Sequence, residues 1–340
     1  MKPSGITPVT HELITRLQAN IHHVLAPYVP ASGKIALLDF PDHPNVGDSA
    51  IWSGEIEYFR KMHNIRPAYV CTFQNICWET LNNSLPEGVI FLHGGGNFGD
   101  IWPAHQEFRE QVLERLRNRK IVQLPQSLYF SNPEALKRAA GIINAHPDFT
   151  LLVRDRKSLA IAKQAFNCRV ELCPDMAFCL GAIPKPVRIS HKLLLLLRTD
   201  KEQINVPGVV NLPSQSYMTD WPEDDPSLKR MARKKTILKL FPRLSLGTLN
   251  RIKGRELYYR QLAKARIDTG LRLLSSAQYI ITDRLHVHIL SILLGIRHST
   301  LDNSYGKLSS FIEAWTKECD ITTSKPSIAL ALSALQGEQT

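Results

Sequence analysis

Two short motifs, far apart in the chain, place histidines directly after apolar segments. The first runs from Gly88 to Asn97 and has His93 before three glycines; the second begins at Tyr279 and ends in Asp-Arg-Leu-His at His286. Short apolar runs bounded by turn signals predict buried strands. Ligands of open α/β sheets bind outside the carboxyl ends of strands. The two motifs therefore predict a cleft between two halves of the chain, suited to a small anion.

Arginines follow three predicted strands and indicate phosphate or carboxylate as the bound group. Arg154, Arg198 and Arg284 each stand at a strand end, and guanidinium is a planar, permanently charged partner for both anions. Arg284 and His286 also stand at the predicted start of a helix, near the positive end of its dipole. A surface pair with the adjacent Asp155 is the alternative for Arg154.

Two further motifs in the first half suit contacts with polar ligands. In the run from Asn45 to Ser49, Asp48 or Ser49 is expected to cap the following helix, whose free N–H groups can hold an anion or a hydroxyl-rich ligand. An ordinary strand-to-helix turn is the alternative. Gln126 and Ser127 follow another predicted strand and carry amide and hydroxyl groups that suit a sugar or a carboxylate.

The glycines after His93 allow a ligand to approach the backbone closely. Gly94, Gly95 and Gly96 precede Asn97, and glycine N–H groups can turn toward an anion. No Gly-Lys-Ser/Thr follows, which excludes a Walker loop. The chain also has no Gly-x-Ser-x-Gly elbow, which an esterase with a similar glycine run requires. A glycine-rich turn with an incidental histidine is the alternative.

Alternating strand and helix patterns predict the architecture that positions these motifs. Such alternation is typical of parallel βαβ units. We expect two doubly wound, Rossmann-like α/β domains facing a cleft, an arrangement that is GT-B-like. Strands are predicted at 34–40, 67–72, 89–92, 121–124, 151–153, 170–172, 192–197, 208–212, 279–282 and 297–301.

The expected domain bounds follow from a proline-containing linker at 181–186. An N-terminal domain is expected over 1–182 and a C-terminal domain over 190–325. The second carries a basic insertion at about 213–256, and residues 326–340 form a tail. A chain of 340 residues is long enough for two domains of ordinary size.

Composition predicts a cytoplasmic protein without a metal site. The six cysteines include no Cys-x-x-Cys pair, which argues against zinc-type spacing and a disulfide framework. No closely spaced His, Asp and Glu cluster of ligand type is present. The N terminus lacks the apolar core of a signal peptide, and the run of five leucines from Leu193 is far below the roughly 20 apolar residues that a membrane span needs.

The net charge of +11 is concentrated in one window. Residues 229–260 contain eleven Lys or Arg and one acid, Glu256, a net charge of +10. Such a patch attracts anionic lipid, nucleic acid or an anionic substrate; a solvated helix face is the alternative. We expect no nucleic-acid partner, because the window holds no recognised motif and its aromatic residues are limited to Phe241, Tyr258 and Tyr259.

Taken together and in order, the motifs resemble those of the polysaccharide pyruvyltransferase family. The matches span about residues 35 to 315, and the window from about Leu212 to Gly254 matches nothing in the family pattern. The matching motifs are Asn45-Val-Gly-Asp48, His93-Gly-Gly-Gly-Asn97, Pro125-Gln126-Ser127, Val153-Arg154-Asp155, Pro174-Asp175 and Asp283-Arg284-Leu285-His286.

The resemblance implies an exopolysaccharide ketal-pyruvate transferase that needs no cofactor. It would move pyruvate from phosphoenolpyruvate onto two hydroxyls of a sugar in an exopolysaccharide or cell-surface glycan repeat unit, commonly lipid-linked. The basic residues 229–260 would then dock peripherally on the anionic inner membrane. Two alternatives keep the fold: a GT-B glycosyltransferase with a nucleotide-sugar donor, and a non-catalytic glycan- or membrane-binding protein.

The same resemblance implies roles for individual residues. His286 would be the general acid or base, Arg284 would hold the donor phosphate, and His93 would orient donor or acceptor. Arg154 and Arg198 would also bind the donor. The acceptor side would comprise Asn45, Asp48, Gly94, Gly95, Gly96, Asn97, Gln126 and Ser127.

Overall fold

The computed structural model describes residues 5–199, 212–240, 248–302 and 306–337. Two parallel sheets organise these residues, seven strands in the first and five in the second. The strands are β1 Ile35–Leu38, β2 Tyr69–Cys71, β3 Val89–Leu92, β4 Gly95–Gly99, β5 Lys120–Tyr129, β6 Phe149–Val153, β7 Arg169–Leu172, β8 His191–Leu196, β9 Ser216–Thr219, β10 Ala277–Thr282, β11 Arg297–Leu301 and β12 Thr322–Lys325.

Helices connect most of these strands, as the parallel pairing requires. They are α1 Pro8–Leu25, α2 Val46–His63, α3 Trp78–Ser84, α4 Pro103–Arg115, α5 Pro133–Asn144, α6 Arg156–Ala165, α7 Pro226–Leu240, α8 Thr248–Ser275, α9 Leu285–Leu294, α10 Lys307–Phe311 and α11 Ile328–Gly337. Short 3₁₀ turns at Ala26–Tyr28 and Met176–Leu180 and a π turn at Ile312–Thr316 complete the elements used below.

Both sheets have the same internal strand order. The first runs β2-β1-β3-β5-β6-β7 with β4 beside β5, and the second runs β9-β8-β10-β11-β12. In each sheet the first strand therefore has the second on one side and the third on the other. The chain reverses its direction of winding at that point, and the gap between the two strands is where doubly wound sheets bind ligands. These gaps lie between β1 and β3 and between β8 and β10.

Most strands predicted from the sequence are confirmed, and the differences are local. The predicted segment 208–212 lies outside the described residues except for Leu212, and β9 follows it. The prediction missed α1, α3, β4 and β12. The first sheet ends at Leu172 and the second begins at His191, on either side of the predicted linker; the division into two domains stays a prediction.

A shared apolar core joins the two sheets. One continuous cluster of buried side chains includes Ile21 of α1, Trp52 of α2, Leu262 of α8 and Ile289 of α9. The ring of Phe40 stacks on Tyr259 of α8, with centroids 4.1 Å apart. Interfaces of this apolar kind resist relative motion of the two halves. The core therefore fixes the distance between the two sets of strand ends.

One buried arginine adds a polar link across the same interface. Arg266 of α8 donates to Asp224 and Asp42, and its Nη1 donates to the carbonyl of Pro41. Asp42 and Pro41 belong to the loop after β1, whereas α8 belongs to the second half. Because Arg266 is almost fully buried, removing either carboxylate would leave much of its charge uncompensated.

Two histidines in the second half form a buried hydrogen-bonded chain. His298 Nδ1 donates to the carbonyl of Ile296 at 2.8 Å, and its Nε2 accepts from His288 Nδ1 at 2.8 Å. His288 Nε2 then accepts from the hydroxyl of Thr316 at 2.9 Å. Both rings are therefore neutral in the folded protein. Burial lowers the pKa of His298 to about 4, and burial together with His298 lowers the pKa of His288 well below its ordinary value.

This histidine chain predicts a loss of stability in mild acid. The unfolded histidines take up protons near pH 6.5, whereas the folded ones resist protonation until far lower pH. Their contribution is thus fully present above about pH 6.5 and falls toward pH 4, by up to about 1.4 kcal/mol per pH unit for each ring. Urea unfolding at several pH values measures this slope. A His298→Gln variant should show a shallower slope, and an unchanged slope would contradict the assignment.

Candidate active site

The facing strand ends of the two sheets enclose a cleft of about 630 Å³. Both halves of the chain contribute walls, as the two histidine motifs predict. The predicted residues that line the cleft are Asn45, Asp48, Gly96, Asn97, Arg154, Arg198, Arg284 and His286. The predicted residues outside its lining are His93, Gly94, Gly95, Gln126 and Ser127.

At one wall, a buried carboxylate joins the two halves. Asp175 follows β7 of the first sheet, and its Oδ2 accepts from Arg154 Nη1 at 2.7 Å and lies 3.4 Å from His286 Nε2. Its Oδ1 accepts from the Ala177 N–H at the start of the 3₁₀ turn. Burial alone would raise the pKa of Asp175, but His286 and Arg154 hold that pKa well below its usual range. The carboxylate is therefore ionised, and it orients an arginine and a histidine toward the cleft.

Arg154 is fixed from behind by the side chains that surround β5 and β6. Its Nε donates to Ser127 Oγ at 2.9 Å, and that hydroxyl donates to Asp155 Oδ2 at 2.6 Å. The indole N–H of Trp315 donates to the Arg154 carbonyl. The alternative of an Arg154–Asp155 surface pair is wrong, because Arg154 is buried and pairs with Asp175. Ser127 thus lies behind the arginine, away from the cleft.

A glycine at the start of α2 makes room for His286. Asn45 caps this helix, since its Oδ1 accepts from the N–H groups of Gly47 at 2.8 Å and Asp48 at 3.4 Å. The prediction of Asp48 or Ser49 as the cap is wrong, because the helix begins earlier, at Val46. A Cβ at residue 47 would lie 2.4 Å from His286 Nδ1. Only glycine lets the helix start approach the imidazole this closely.

The glycine run after His93 forms a strand rather than an open anion loop. Gly95 starts β4, which pairs with β5, and the Gly94 N–H is taken by Glu55 Oε1 at 2.8 Å. The spacing from Gly94 to Gly99 matches Gly-x-Gly-x-x-Gly, but no helix opens there, as a dinucleotide site requires. A Cβ on Gly96 would lie 3.0 Å from Arg154 Nη2. The glycines therefore admit the arginine.

His93 lies beneath the cleft in a buried pair with Glu55. Its Nδ1 is 2.8 Å from Glu55 Oε2, and its ring packs against Trp52. Burial disfavours the charged ring, yet the Glu55 carboxylate raises the pKa of His93. The Nε2 atom is buried and has no hydrogen-bond partner among the described residues. This geometry places His93 behind the wall of the site.

An amide network holds the end of β3 in place. Gln126 Nε2 donates to the His93 carbonyl and to Asn97 Oδ1, which also accepts from Arg109 Nη2 at 2.9 Å. Burial lowers the pKa of Arg109 to about 10. The sequence prediction missed Arg109, since it lies in the middle of α4 without a motif. Asn97 and Gln126 were both predicted on the acceptor side. Of these two residues, only Asn97 lines the cleft.

In the second half, a carboxylate that sequence reasoning missed positions Arg284. Asp220 follows β9 and accepts from both Nε and Nη2 of Arg284, a two-point geometry that fixes the guanidinium plane. The backbone N–H and hydroxyl of Thr199 donate to Asp220 Oδ2 at 3.0 and 2.9 Å. Burial would raise the pKa of Asp220, but Arg284 lowers it. Asp220 is therefore an ionised positioning group.

The end of β10 supplies one more carboxyl group. Asp283 Oδ1 accepts from the Arg198 N–H at 2.9 Å, which ties the ends of β8 and β10 together at the predicted ligand-binding gap. Burial raises the pKa of Asp283 to about 6. Like Asp220, this residue lines the cleft. It is the first residue of the Asp-Arg-Leu-His motif, and this position is the sequence signal that could have marked it as a site residue.

Fold and site together define a two-sheet α/β protein with a ligand-sized cleft between the sheets, which Arg154, Arg198 and Arg284 line. Residues 45–305 match the model of a family described as polysaccharide pyruvyl transferase. The match covers most of the chain, and the chain therefore belongs to the polysaccharide pyruvyl transferase family. The resemblance inferred from the ordered motifs is confirmed, and with it the class of enzyme, a transferase.

Individual relatives agree with this assignment. The chain is 32% identical over 315 residues to Pyruvyl transferase 1 of Schizosaccharomyces pombe, covering 86% of this chain and 72% of that protein. It is 33% identical over 293 residues to the putative pyruvyl transferase EpsO of Bacillus subtilis, covering 84% and 87%. The crystal structure of an uncharacterized Klebsiella pneumoniae protein matches with a TM-score of 0.59 at 18% identity, covering 92% of this chain and 99% of that one. This last likeness concerns the fold alone.

The close approach at Gly47 yields a matched pair of variants. We expect Gly47→Ala to displace His286 and to weaken binding of inorganic phosphate at least about tenfold, the worth of one charge-assisted hydrogen bond. Gly141 of α5 has open space around its Cβ position, so Gly141→Ala should leave phosphate binding unchanged. Isothermal titration calorimetry measures both affinities. Equal phosphate affinity in the two variants would show that His286 does not need this approach.

Proposed function

We propose that the protein transfers pyruvate from phosphoenolpyruvate to two hydroxyls of a sugar in an exopolysaccharide or cell-surface glycan repeat unit, forming a pyruvate ketal. The observation that carries the proposal is the cluster of Arg154, Asp175 and His286 at the wall of the cleft. It sets a permanent cation beside an imidazole, the side chain that most often serves as a general acid or base. Membership in the family supports the same reaction.

The donor suits the three arginines of the cleft. Phosphoenolpyruvate carries a phosphate and a carboxylate, and Arg154, Arg198 and Arg284 line the same space. Arg154 comes from the first sheet and the other two from the second, so donor binding would use both halves. Asp220 orients Arg284 for this task. The N terminus of α9, which begins beside Arg284, adds positive potential.

Ketal formation needs one acid and one base that regain their starting states. The methylene carbon of the donor takes a proton, and a sugar hydroxyl attacks the neighbouring carbon. Phosphate then leaves, and the second hydroxyl closes the ring while its proton ends on the phosphate. His286 is the proposed acid for the first step, and it takes back the proton of the attacking hydroxyl. The neighbouring Asp175 carboxylate lies 3.4 Å from Nε2 of this ring and orients it.

The acceptor is proposed to lie along the wall formed by the first sheet, in a GT-B-like arrangement. Asn45, Asp48, Gly96 and Asn97 line this wall and offer amide and carboxylate contacts. We assign a positioning role to the predicted site residues that lie outside the cleft lining. These are His93, Gly94, Gly95, Gln126 and Ser127.

Within the basic residues 229–260, we assign the proposed membrane contact to helix α7. Ala232 and Thr236 of this helix are buried, and the rest of its described surface is largely exposed and basic. Met231 and Ile237 are exposed apolar side chains on the same helix. The basic exposed side chains are Arg230, Arg233, Lys234 and Lys235.

Two basic residues of α8 contact the protein itself. Arg255 donates to the Val70 carbonyl, and Arg260 pairs with Glu256. Among the described helices, none combines the length and the apolar composition of a membrane span. We propose that a lipid-linked acceptor at the inner membrane meets the enzyme through surface binding by α7.

Product analysis tests the reaction directly. Incubation with phosphoenolpyruvate and a panel of aryl and lipid-linked glycosides should release phosphate and add to the sugar the mass of one pyruvate less one water. His286→Asn should lower turnover on the order of 100- to 10,000-fold, because it removes the proton carrier. His23 is exposed on α1, and His23→Asn should leave turnover unchanged. Near-wild-type turnover of His286→Asn would refute the proton-transfer role.

The alternatives give different results in the same experiments. A glycosyltransferase would be stabilised against heat by nucleotide sugars and not by phosphoenolpyruvate. A non-catalytic binding protein would release no phosphate with any acceptor. Arginines from both halves beside His286 favour the pyruvyl transferase over both.

Membrane contact is tested by sedimentation with lipid vesicles. We expect binding to phosphatidylglycerol-containing vesicles that weakens with salt, since each basic residue near such a surface contributes about 1 kcal/mol. Replacing Arg233, Lys234 and Lys235 by Gln should reduce binding on the order of 100-fold. Gln at the exposed Arg117, Lys137 and Lys163, outside α7, is the charge-matched control. Equal binding of both triple variants would contradict the contact.

A further inference from the structure

We infer that Asp283 is a second proton carrier of this site. As a neutral carboxyl group, Asp283 binds the donor phosphate and then gives its proton to the departing phosphate. The inference rests on the proposed function for the identity of the donor. It adds a group to the proposed site, and it divides the two net proton transfers of the reaction between two side chains. These transfers run from the first hydroxyl to the methylene carbon and from the second hydroxyl to the phosphate.

The position of Asp283 meets the requirements for such a group. It stands at the carboxyl end of β10, at the gap between β8 and β10, and it lines the cleft while being only 2% exposed. Oδ1 is held by the Arg198 N–H at 2.9 Å. Oδ2 is buried and has no hydrogen-bond partner among the described residues. A buried oxygen without a partner is costly unless a ligand supplies one.

The surrounding charges favour a carboxyl group that changes protonation state. Burial raises the pKa of Asp283 to about 6, although Arg284 and Arg198 oppose the rise. Among the described residues, the other titratable side chains that the second half contributes to the cleft lining are Asp220, which is paired with Arg284, Glu223 and His286. A phosphate dianion in the cleft would favour the neutral carboxyl further, because like charges disfavour each other. Protonated Oδ2 then becomes a donor to the phosphate.

With two carriers the protons of the reaction balance. His286 gives a proton to the methylene carbon and recovers one from the first hydroxyl. The bond between the central carbon and the phosphate oxygen then breaks, and Asp283 gives its proton to the leaving phosphate. The second hydroxyl attacks and returns a proton to Asp283. Phosphoenolpyruvate and a diol become a ketal and hydrogen phosphate, and no further reactant is needed.

Asp220 provides a matched comparison on the same wall. Both of its oxygens accept hydrogen bonds from Arg284, and its pKa is lowered, in contrast to that of Asp283. Asp220 is therefore a positioning residue that stays ionised. The same isosteric change, Asp to Asn, should have different kinetic consequences at the two positions.

The kinetic experiment compares Asp283→Asn and Asp220→Asn over a range of pH. Asp283→Asn should lower kcat about 100-fold or more, leave KM for phosphoenolpyruvate within about threefold, and remove the decline of kcat/KM above about pH 6. Asp220→Asn should raise KM and keep that decline. Added formate should restore turnover to Asp283→Ala, which a purely structural role would not allow. Wild-type kcat and an unchanged pH profile in Asp283→Asn would overturn the inference.

A binding experiment tests the role of Asp283 in proton uptake and does not require turnover. Calorimetry of inorganic phosphate in two buffers of different ionisation enthalpy should show that the wild-type protein takes up nearly one more proton than Asp283→Asn above pH 7. Equal proton uptake would overturn the inference. If wild-type protein releases no phosphate from phosphoenolpyruvate, the proposed function fails, and the calorimetry still decides whether Asp283 couples a proton to anion binding.

Discussion

The site depends on one buried carboxylate that is shared between the two halves of the molecule. Asp175 belongs to the first sheet, and it meets Arg154 of its own half and His286 of the other. An isolated buried carboxylate destabilises the folded state. Removing one partner of a buried pair typically costs about 3–5 kcal/mol, which is comparable to the whole free energy of unfolding of a marginally stable protein. The two sheets must therefore stay in one relative position for this charge to remain satisfied. That requirement makes the cleft a fixed feature of the fold.

Several features that look unrelated in sequence serve this contact. Gly47 admits the ring of His286, and Gly96 admits the guanidinium of Arg154. Ser127 holds the Nε of the same arginine. Packing of α2, α8 and α9 in one apolar core, with the Phe40–Tyr259 stack, sets the spacing within which the contact forms. The groups that would bind an anion are thus preorganised, because the fold holds them in position before the ligand binds.

The strand ends that carry the site were predictable, because parallel sheets place ligands at the carboxyl ends of apolar runs. Arg154, Arg284 and His286 were found in that way. The roles of His93, Gln126 and Ser127 were harder to foresee, since a polar residue that follows an apolar run can face either the cleft or the layer beneath it. Neither the hydrophobic periodicity nor the composition of the sequence shows whether such a side chain faces the cleft or the layer beneath it.

Asp220 and Arg109 escaped prediction for another reason. Each acts through contacts that are distant in sequence, and neither lies in a motif. The helix cap was misplaced by a few residues because Asn45, Asp48 and Ser49 are all good caps. Strands β4 and β12 are short and lack strong apolar patterns, so only tertiary pairing defines them. The basic window looked like one surface in sequence, whereas Arg255 and Arg260 contact the protein itself.

A crystal structure of the protein soaked with phosphoenolpyruvate tests the central claim most directly. We predict the donor in the cleft of about 630 Å³, with its phosphate or carboxylate in contact with Arg154 and His286 while both still contact Asp175. A second hollow of about 270 Å³, lined by Lys120, His146 and Arg169, offers an alternative basic site on the first sheet. Donor bound there, with the cleft between the two sheets empty at saturating concentration, would contradict the account.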